Sequence, residues 1–286
     1  MTLTRRRFLK VALGSAAAVS LGGGLYVSQI EPEWVEITQI HFTLPRLDRV
    51  FEGFRILHMT DFHVDNRFMN RERLMSIIDL ALTQPADMIL VTGDFVTDGV
   101  SPEIQAALTD AFSRLSAPYG KFYVTGNHDH WSGVNNVRAA VNPAGMIEVK
   151  NTAVPIQRGE KQFYLAGVGD VWEALDDMPQ TLASFPENAP AILMAHEPDY
   201  ADTAALTGRF DLQLSGHSHG GQVNLPGFGP LILPRWGRIY HTGQYQVGRM
   251  IQYTNRGLGV LSGNGWMPPI RFNCRPEIAI ITLHAP

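Results

Sequence analysis

The sequence predicts an α/β fold with a parallel sheet in its first half and a second, mixed sheet packed against it. The first observation is that apolar runs of strand length alternate with segments of helical periodicity between residues 54 and 141. Such alternation is typical of a parallel sheet. The second is that strand-like runs dominate after residue 146. The third is that five apolar runs end in Asp, Asn or His, where open α/β sheets collect their ligands.

The composition is that of an ordinary globular protein. Of its 286 residues, 45% are hydrophobic and 17% are charged. This length is enough for one large domain or two small ones. Because no repeat or compositional break follows residue 45, we expect one domain over residues 31–286. The net charge of -4 argues against nucleic acid as a partner. The single cysteine, Cys274, excludes an internal disulfide and a thiolate-type zinc site.

The first 30 residues have the pattern of a targeting segment. Residues 4–10 are basic, and residues 11–30 carry no charge and are rich in Gly, Ala and Ser. The order Thr-Arg-Arg-x-Phe-Leu-Lys resembles a twin-arginine (Tat) export signal. This resemblance implies export by the Tat translocase to the periplasmic or extracytoplasmic face of the cytoplasmic membrane. No small-x-small cleavage site is evident, so residues 1–30 are expected to be either a Tat signal or an N-terminal membrane anchor.

Each element of the expected fold has a local signal. Helical periodicity indicates helices at residues 70–82, 102–115 and 133–141, with weaker ones at 179–185 and 199–206. A lead-in strand is expected within residues 31–51, and core strands are expected at 54–60, 87–92, 121–125, 191–195 and 211–214. The expected strands of the second sheet include 146–149, 154–157 and 162–168. The remaining strand-like runs are 250–254, 258–261, 270–273 and 277–283.

Polar side chains follow five of these apolar runs. The motifs, in chain order, are Asp61-x-His63, Gly-Asp94, Gly-Asn127-His128-Asp129, His196 and Gly-His217-x-His219. All of them offer oxygen or nitrogen ligands and none offers a thiolate, which suits Mn, Fe, Zn or Co. Taken alone, each motif is weak evidence for a metal site. A histidine at the end of an apolar strand, for example, usually packs against its neighbours and binds no metal. Seven of these residues are candidate ligands, which are too many for one ion and suit two: Asp61, His63, Asp94, Asn127, His196, His217 and His219.

This ordered set of motifs resembles the calcineurin-like metallophosphoesterases, over roughly residues 54–221. With the Tat-like start and the Gly-His-Ser-His-Gly-Gly-Gln form, it is most similar to the bacterial YaeI/YkuE-type branch. The resemblance implies two mixed β-sheets packed as a sandwich and flanked by helices, the metallo-dependent phosphatase-like fold. It also implies two divalent metal ions (Mn, Fe or Zn).

The resemblance assigns a role to each matching position. It implies that one ion is held by Asp61, His63 and His219, and the other by Asn127, His196 and His217. Asp94 is expected to bridge the two ions. His128 is expected to contact the phosphate or the leaving group, and Asp129 to orient His128.

The implied activity is hydrolysis of a phosphodiester by attack of a metal-bound hydroxide. No Gly-x-Ser-x-Gly elbow supplies a protein nucleophile. The alternatives are a phosphomonoesterase and a membrane-associated UDP-diacylglucosamine-type pyrophosphohydrolase, so the substrate is a small-molecule or lipid-linked phosphoester. A non-catalytic metal-binding module is the alternative of another class, although every ligand of the pattern is present. Residues 130–131 and the apolar run within residues 228–236 either border the substrate or pack as ordinary loops.

Overall fold

The computed structural model describes residues 21–261 and 268–286. In chain order the strands are β1 (Glu36–Thr43), β2 (Phe54–Met59), β3 (Met88–Thr92), β4 (Lys121–Val124), β5 (Ile147–Glu148), β6 (Thr152–Arg158), β7 (Lys161–Gly167), β8 (Ala191–Met194), β9 (Leu212–Ser215), β10 (Asn224–Leu225), β11 (Gly229–Pro230), β12 (Gly243–Val247), β13 (Met250–Thr254) and β14 (Glu277–His284). The α-helices are α1 (Arg71–Leu82), α2 (Pro102–Ser113), α3 (Asn127–Trp131), α4 (Val134–Val141), α5 (Met178–Ala183) and α6 (Ala201–Leu206).

The first sheet has the order β1-β14-β2-β3-β4-β5, and β2 to β5 run parallel, as the alternation of strands and helices predicted. β14 is antiparallel to β2 and parallel to β1. Placing residues 146–149 in the second sheet was therefore wrong, and the strand expected at residues 277–283 also lies in the first sheet. β14 is buried along most of its length, so it requires a neighbouring strand on each side. An apolar run in the sequence does not reveal which strands those neighbours are.

The second sheet has the order β12-β13-β9-β8-β7-β6 and is mixed, as expected. Two expected strands do not form here, because residues 258–261 contain no strand and residues 270–273 contribute only the isolated bridge of Phe272 with Val223. The edge strand β12 was not predicted. Its side chains are mostly polar and half-exposed, so it lacks the apolar run that marked the other strands.

Helices cover the outer face of each sheet. α1, α2 and α4 pack on the first sheet through side chains such as Leu74, Leu108 and Val137, and α5 and α6 pack on the second. The helix starts follow from local chemistry, since Asn70 and Ser101 accept hydrogen bonds from the first turns of α1 and α2. The expectation of an α/β fold with mixed sheets flanked by helices is confirmed.

The two sheets face each other across a single apolar core that contains an aromatic cluster. The Phe163 ring from β7 lies 5.0 Å from the Phe51 ring and 5.5 Å from the Phe54 ring, in edge-to-face geometry. All three side chains are almost fully buried. This contact joins the sheets near the amino end of β2, so the carboxyl ends of the central strands are held at a common edge.

The basic residues 4–10 and the first half of the uncharged run in the expected export signal lie outside the described residues, which begin at residue 21. Residues 21–33 are helical, including a π-helical turn at Tyr26–Ile30. Among the described residues, no helix combines the length and apolar character that crossing a membrane requires.

Replacing Phe163 with Ala is expected to lower the free energy of unfolding by about 3–5 kcal/mol, because it removes a buried ring from the joint between the sheets. Urea denaturation measures the change. The control is Leu206→Ala, since that side chain is 89% exposed and its loss is expected to cost less than about 0.5 kcal/mol. Equal losses in both variants would contradict the assigned packing.

Candidate metal centre

The structure brings the candidate ligands together at the carboxyl ends of β2, β3, β4, β8 and β9. Three groups have ligand atoms within 4.8 Å of one another: Asp61, His63 and His219; His63, Asp94 and His128; and Asp94, His196 and His217. The groups share members, so they form one continuous centre. It lies where the strand order predicted it, between the two sheets.

The first cluster combines one carboxylate with two imidazoles. His219 Nε2 lies 2.9 Å from His63 Nε2 and 3.3 Å from Asp61 Oδ1. All three side chains are buried. Two imidazole nitrogens and a carboxylate oxygen converging on one point are a donor set that suits divalent transition metals.

The second cluster joins the first through Asp94. Asp94 Oδ2 lies 3.2 Å from His196 Nε2 and 3.5 Å from His63 Nε2, so one carboxylate oxygen belongs to both clusters. His196 Nε2 is in turn 3.2 Å from His217 Nδ1. The Oδ1 atom of Asn127 is buried and has no hydrogen-bond donor among the described residues. An unpartnered buried amide oxygen is costly unless a cation or water meets it, so the residues present fit a metal site.

Backbone carbonyls fix which nitrogen of two histidines faces the centre. His196 Nδ1 lies 2.6 Å from the Thr92 carbonyl, and His217 Nε2 lies 2.7 Å from the Arg235 carbonyl. Because a carbonyl only accepts hydrogen bonds, these nitrogens carry the proton. The other nitrogen of each ring therefore faces the centre, where the neutral ring offers its lone pair to a cation, as metal-ligating histidines do.

The backbone at the strand ends is strained. Five of the seven candidate ligands adopt positive φ, at 51° for Asp61, 50° for His63, 53° for Asp94, 68° for His217 and 51° for His219. Left-handed backbone costs a non-glycine residue of the order of 1–3 kcal/mol. Such outliers concentrate at functional sites, and here they turn successive side chains toward one point.

Two positions in these motifs require glycine because carboxylates of the centre lie too close to the backbone for a Cβ atom. A Cβ atom at Gly126 would lie 2.3 Å from Asp94 Oδ1, and one at Gly216 would lie 2.2 Å from Asp61 Oδ2. Either contact would displace a carboxylate of the centre. The glycine before each histidine motif therefore reflects lack of space rather than a flexible turn.

Burial and neighbouring charge set the protonation states in the centre. Burial lowers the pKa of His63 and His217 to about 3, because a charged imidazole loses its hydration in the interior. Both rings are thus neutral at pH 7, the form that ligates a cation. Burial also raises the pKa of Asp61 to about 6. Burial opposes a charge on His196, but the Asp94 carboxylate outweighs it and raises the pKa well above the ordinary value.

The predicted contact between Asp129 and His128 is wrong. The Asp129 carboxylate accepts hydrogen bonds from the backbone N–H groups of Asp94, Phe95 and Gly126, at 3.0, 2.8 and 3.0 Å. It therefore joins the loops after β3 and β4. The His128 ring is oriented by the Thr97 carbonyl, 2.8 Å from Nδ1. The hydrogen-bond partner of this ring is a backbone carbonyl, and no pattern in the sequence indicates such a partner.

His128 lies at the exposed side of the centre, beside two tryptophans. Its ring centroid is 4.8 Å from that of His63 and 4.7 Å from that of Trp131, which is 53% exposed. Trp172, which the sequence did not single out, lies between Trp131 and His217, with ring centroids 5.7 and 5.6 Å away. Trp131 therefore borders the site. His130 instead points to the Thr125 hydroxyl, 3.1 Å away.

A buried arginine, Arg271, supports the first cluster. The sequence analysis did not single out this residue. The Arg271 side chain is fully buried, and its guanidinium donates to the carbonyls of Gly259, Gly257 and Arg256. Its Nη2 atom lies 3.4 Å from His219 Nδ1. It thus fixes the chain beside His219. A single arginine between apolar residues carries no local signal for such a role.

Replacing Asp129 with Asn is expected to weaken divalent metal binding about 10–100-fold, because the amide cannot accept all three N–H groups that hold Asp94 and Gly126 in place. Isothermal titration with Mn²⁺ measures the change. Asp98→Asn is the control, since it removes the same charge from an exposed loop position nearby. Unchanged affinity in Asp129→Asn, with lower turnover alone, would favour a role through His128 instead.

The chain is similar to several known proteins. The calcineurin-like phosphoesterase family matches residues 54–221. The chain is 33% identical to the uncharacterized metallophosphoesterase YkuE of Bacillus subtilis (strain 168), over 98% of each chain. It is 32% identical to phosphodiesterase YaeI of Escherichia coli (strain K12), over 98% of this chain and 99% of that one. The solved structure of TT1561 from Thermus thermophilus aligns with a TM-score of 0.46 at 17% identity, covering 72% of this chain and 90% of that one. The chain belongs to the calcineurin-like phosphoesterase family.

Proposed function

We propose that the protein is a dinuclear metal-dependent phosphodiesterase. The observation that carries the proposal is the position of Asp94 Oδ2, which lies within 3.5 Å of His63 Nε2 and 3.2 Å of His196 Nε2. One carboxylate oxygen between two imidazole-rich clusters is the arrangement expected of a ligand that bridges two cations.

The seven candidate ligands divide between two ions, which we take to be Mn, Fe or Zn. Asp61, His63 and His219 would hold one, Asn127, His196 and His217 would hold the other, and both would share Asp94. When bound, such ions activate water as a nucleophile and neutralise charge on the phosphoryl oxygens. The protein supplies a buried, oriented donor set and the two tryptophans at its exposed side.

His128 is suited to act on the leaving group. Its Nδ1–H is fixed by the Thr97 carbonyl and its backbone N–H donates to Asp94 Oδ1 at 2.9 Å, so the ring is held over the centre. In hydrolysis, water oxygen bonds to phosphorus as the ester P–O bond breaks. One water proton ends on the departing alkoxide and the other passes to solvent. The imidazolium form of His128 donates the proton to the alkoxide and then regains one from water.

A diester is the substrate class we favour, since the similar Escherichia coli protein is a phosphodiesterase by name. A phosphomonoester or a UDP-diacylglucosamine-type pyrophosphate remains the alternative and uses the same ligands. We also propose export by the Tat translocase and a site of action at the outer face of the cytoplasmic membrane. The basic residues 4–10 and the uncharged residues 11–30 support this.

Removing metal from the full-length protein is expected to abolish hydrolysis of bis-p-nitrophenyl phosphate, and re-adding Mn²⁺ is expected to restore it. Asp94→Asn is expected to lower restored turnover by at least about a thousandfold, because a neutral amide cannot bridge two cations. Release of p-nitrophenolate measures the rate. Asp98→Asn is expected to behave as the unmutated protein.

His128→Ala is expected to lower diester turnover about 10²–10⁴-fold while metal content stays unchanged. The metal content is measured by elemental analysis of the purified variant. Faster hydrolysis of p-nitrophenyl phosphate than of the diester would instead favour a phosphomonoesterase. Bound metal without hydrolysis of either compound would contradict the proposed activity.

A further inference from the structure

An apolar cavity lies directly beside the candidate metal centre. It has a volume of about 370 Å³, within the range of small-molecule sites, and His217 and His219 form part of its wall. The rest of the wall is largely aliphatic and includes Val223, Leu231, Ile232, Leu261, Pro268 and Ile270. A ligand in this cavity therefore contacts apolar carbon on one side and two imidazoles of the centre on the other.

The outer wall of the cavity is an exposed apolar surface. Leu231 and Ile232 line the cavity and are 59% and 81% exposed, and nearby Phe228 is 89% exposed. Two exposed arginines, Arg235 and Arg238, follow in the chain. Large exposed side chains grouped in this way mark an interaction surface, and arginines beside them suit an anionic lipid surface.

This wall is connected to the centre by a hydrogen bond. The Arg235 carbonyl is the acceptor for His217 Nε2–H, at 2.7 Å. The same segment thus carries the apolar side chains and orients a candidate ligand. The cavity and the candidate metal centre are therefore parts of one site, so a ligand can occupy both.

The opposite wall contacts the end of the apolar N-terminal segment. Ile270 lines the cavity, and the backbone N–H of the next residue, Arg271, donates to the Val27 carbonyl at 2.9 Å. Val27 belongs to the uncharged run of residues 11–30. Leu21 and Leu25, in the same run, are 69% and 60% exposed. The cavity wall and the segment that we propose meets the membrane are therefore adjacent.

We infer that the cavity binds the alkyl or acyl chain of a lipid phosphoester drawn from a membrane surface. The inference rests on the proposed function and names its substrate class. The phosphoryl group lies at the metal centre, one ester substituent extends into the cavity, and the exposed Leu231, Ile232 and Phe228 contact the lipid surface. Three observations support this inference: the size of the cavity, the wall that it shares with the centre, and the N-terminal segment next to it.

The test compares two diesters with the same leaving group, methyl and octyl p-nitrophenyl phosphate, using the full-length, Mn²⁺-loaded protein below the micellar concentration. Each buried methylene is expected to raise kcat/KM by up to about fourfold, so the octyl-to-methyl ratio is expected to exceed about tenfold. Leu231→Gln/Ile232→Gln is expected to bring the ratio close to one. Leu206→Gln, which makes the same exchange at an exposed leucine on α6, is expected to keep that ratio.

The outcomes separate the inference from the function on which it rests. A ratio near one in the unmutated protein, with metal-dependent hydrolysis of both esters, would overturn the inference and leave the phosphodiesterase standing. No metal-dependent hydrolysis of either ester would overturn the proposed function itself. A second arm presents hexadecyl p-nitrophenyl phosphate in phosphatidylglycerol vesicles, where hydrolysis is expected. Preference for the free octyl ester without hydrolysis in vesicles would overturn the membrane as the source.

Discussion

The candidate site depends on the position of one carboxylate. Asp94 has one oxygen between His63 and His196, and its other oxygen accepts the backbone N–H of His128. Its own backbone N–H donates to Asp129. These contacts bring together the ends of β2, β3, β4 and β8, which belong to two different sheets. A shift of Asp94 would therefore separate the two clusters and also move the residue proposed to meet the leaving group.

Holding that carboxylate in place is energetically unfavourable for the apo fold. Five candidate ligands have left-handed backbone, and the carboxylates and imidazoles of the centre are buried close to one another. The packing between the sheets and the helices outside them offsets this cost. The site is thus strained locally and stabilised by the remainder of the fold. Divalent cations would bind the carboxylate, amide and imidazole atoms that face the centre, so metal binding is expected to stabilise the protein.

The sequence predicted the parts of this arrangement that have local signals. Polar residues directly after apolar runs suggested seven candidate ligands, and the structure brings the ligand atoms of the six Asp and His residues among them together. The sequence did not predict that β14 lies in the first sheet, because strand pairing depends on distant neighbours. Nor did it reveal that Thr97 orients His128 or that Arg271 supports His219, since a backbone carbonyl and a lone arginine leave no pattern. The resemblance assigned Asp129 to His128, whereas its carboxylate accepts backbone N–H groups, which leave no pattern in the sequence.

The central claim is that Asp94 joins two cation sites, and anomalous X-ray diffraction from Mn²⁺-loaded crystals tests it most directly. The account predicts two anomalous peaks, one beside Asp61, His63 and His219 and one beside Asn127, His196 and His217, with Asp94 Oδ2 between them. A single peak, or peaks that Asp94 does not reach, would contradict it.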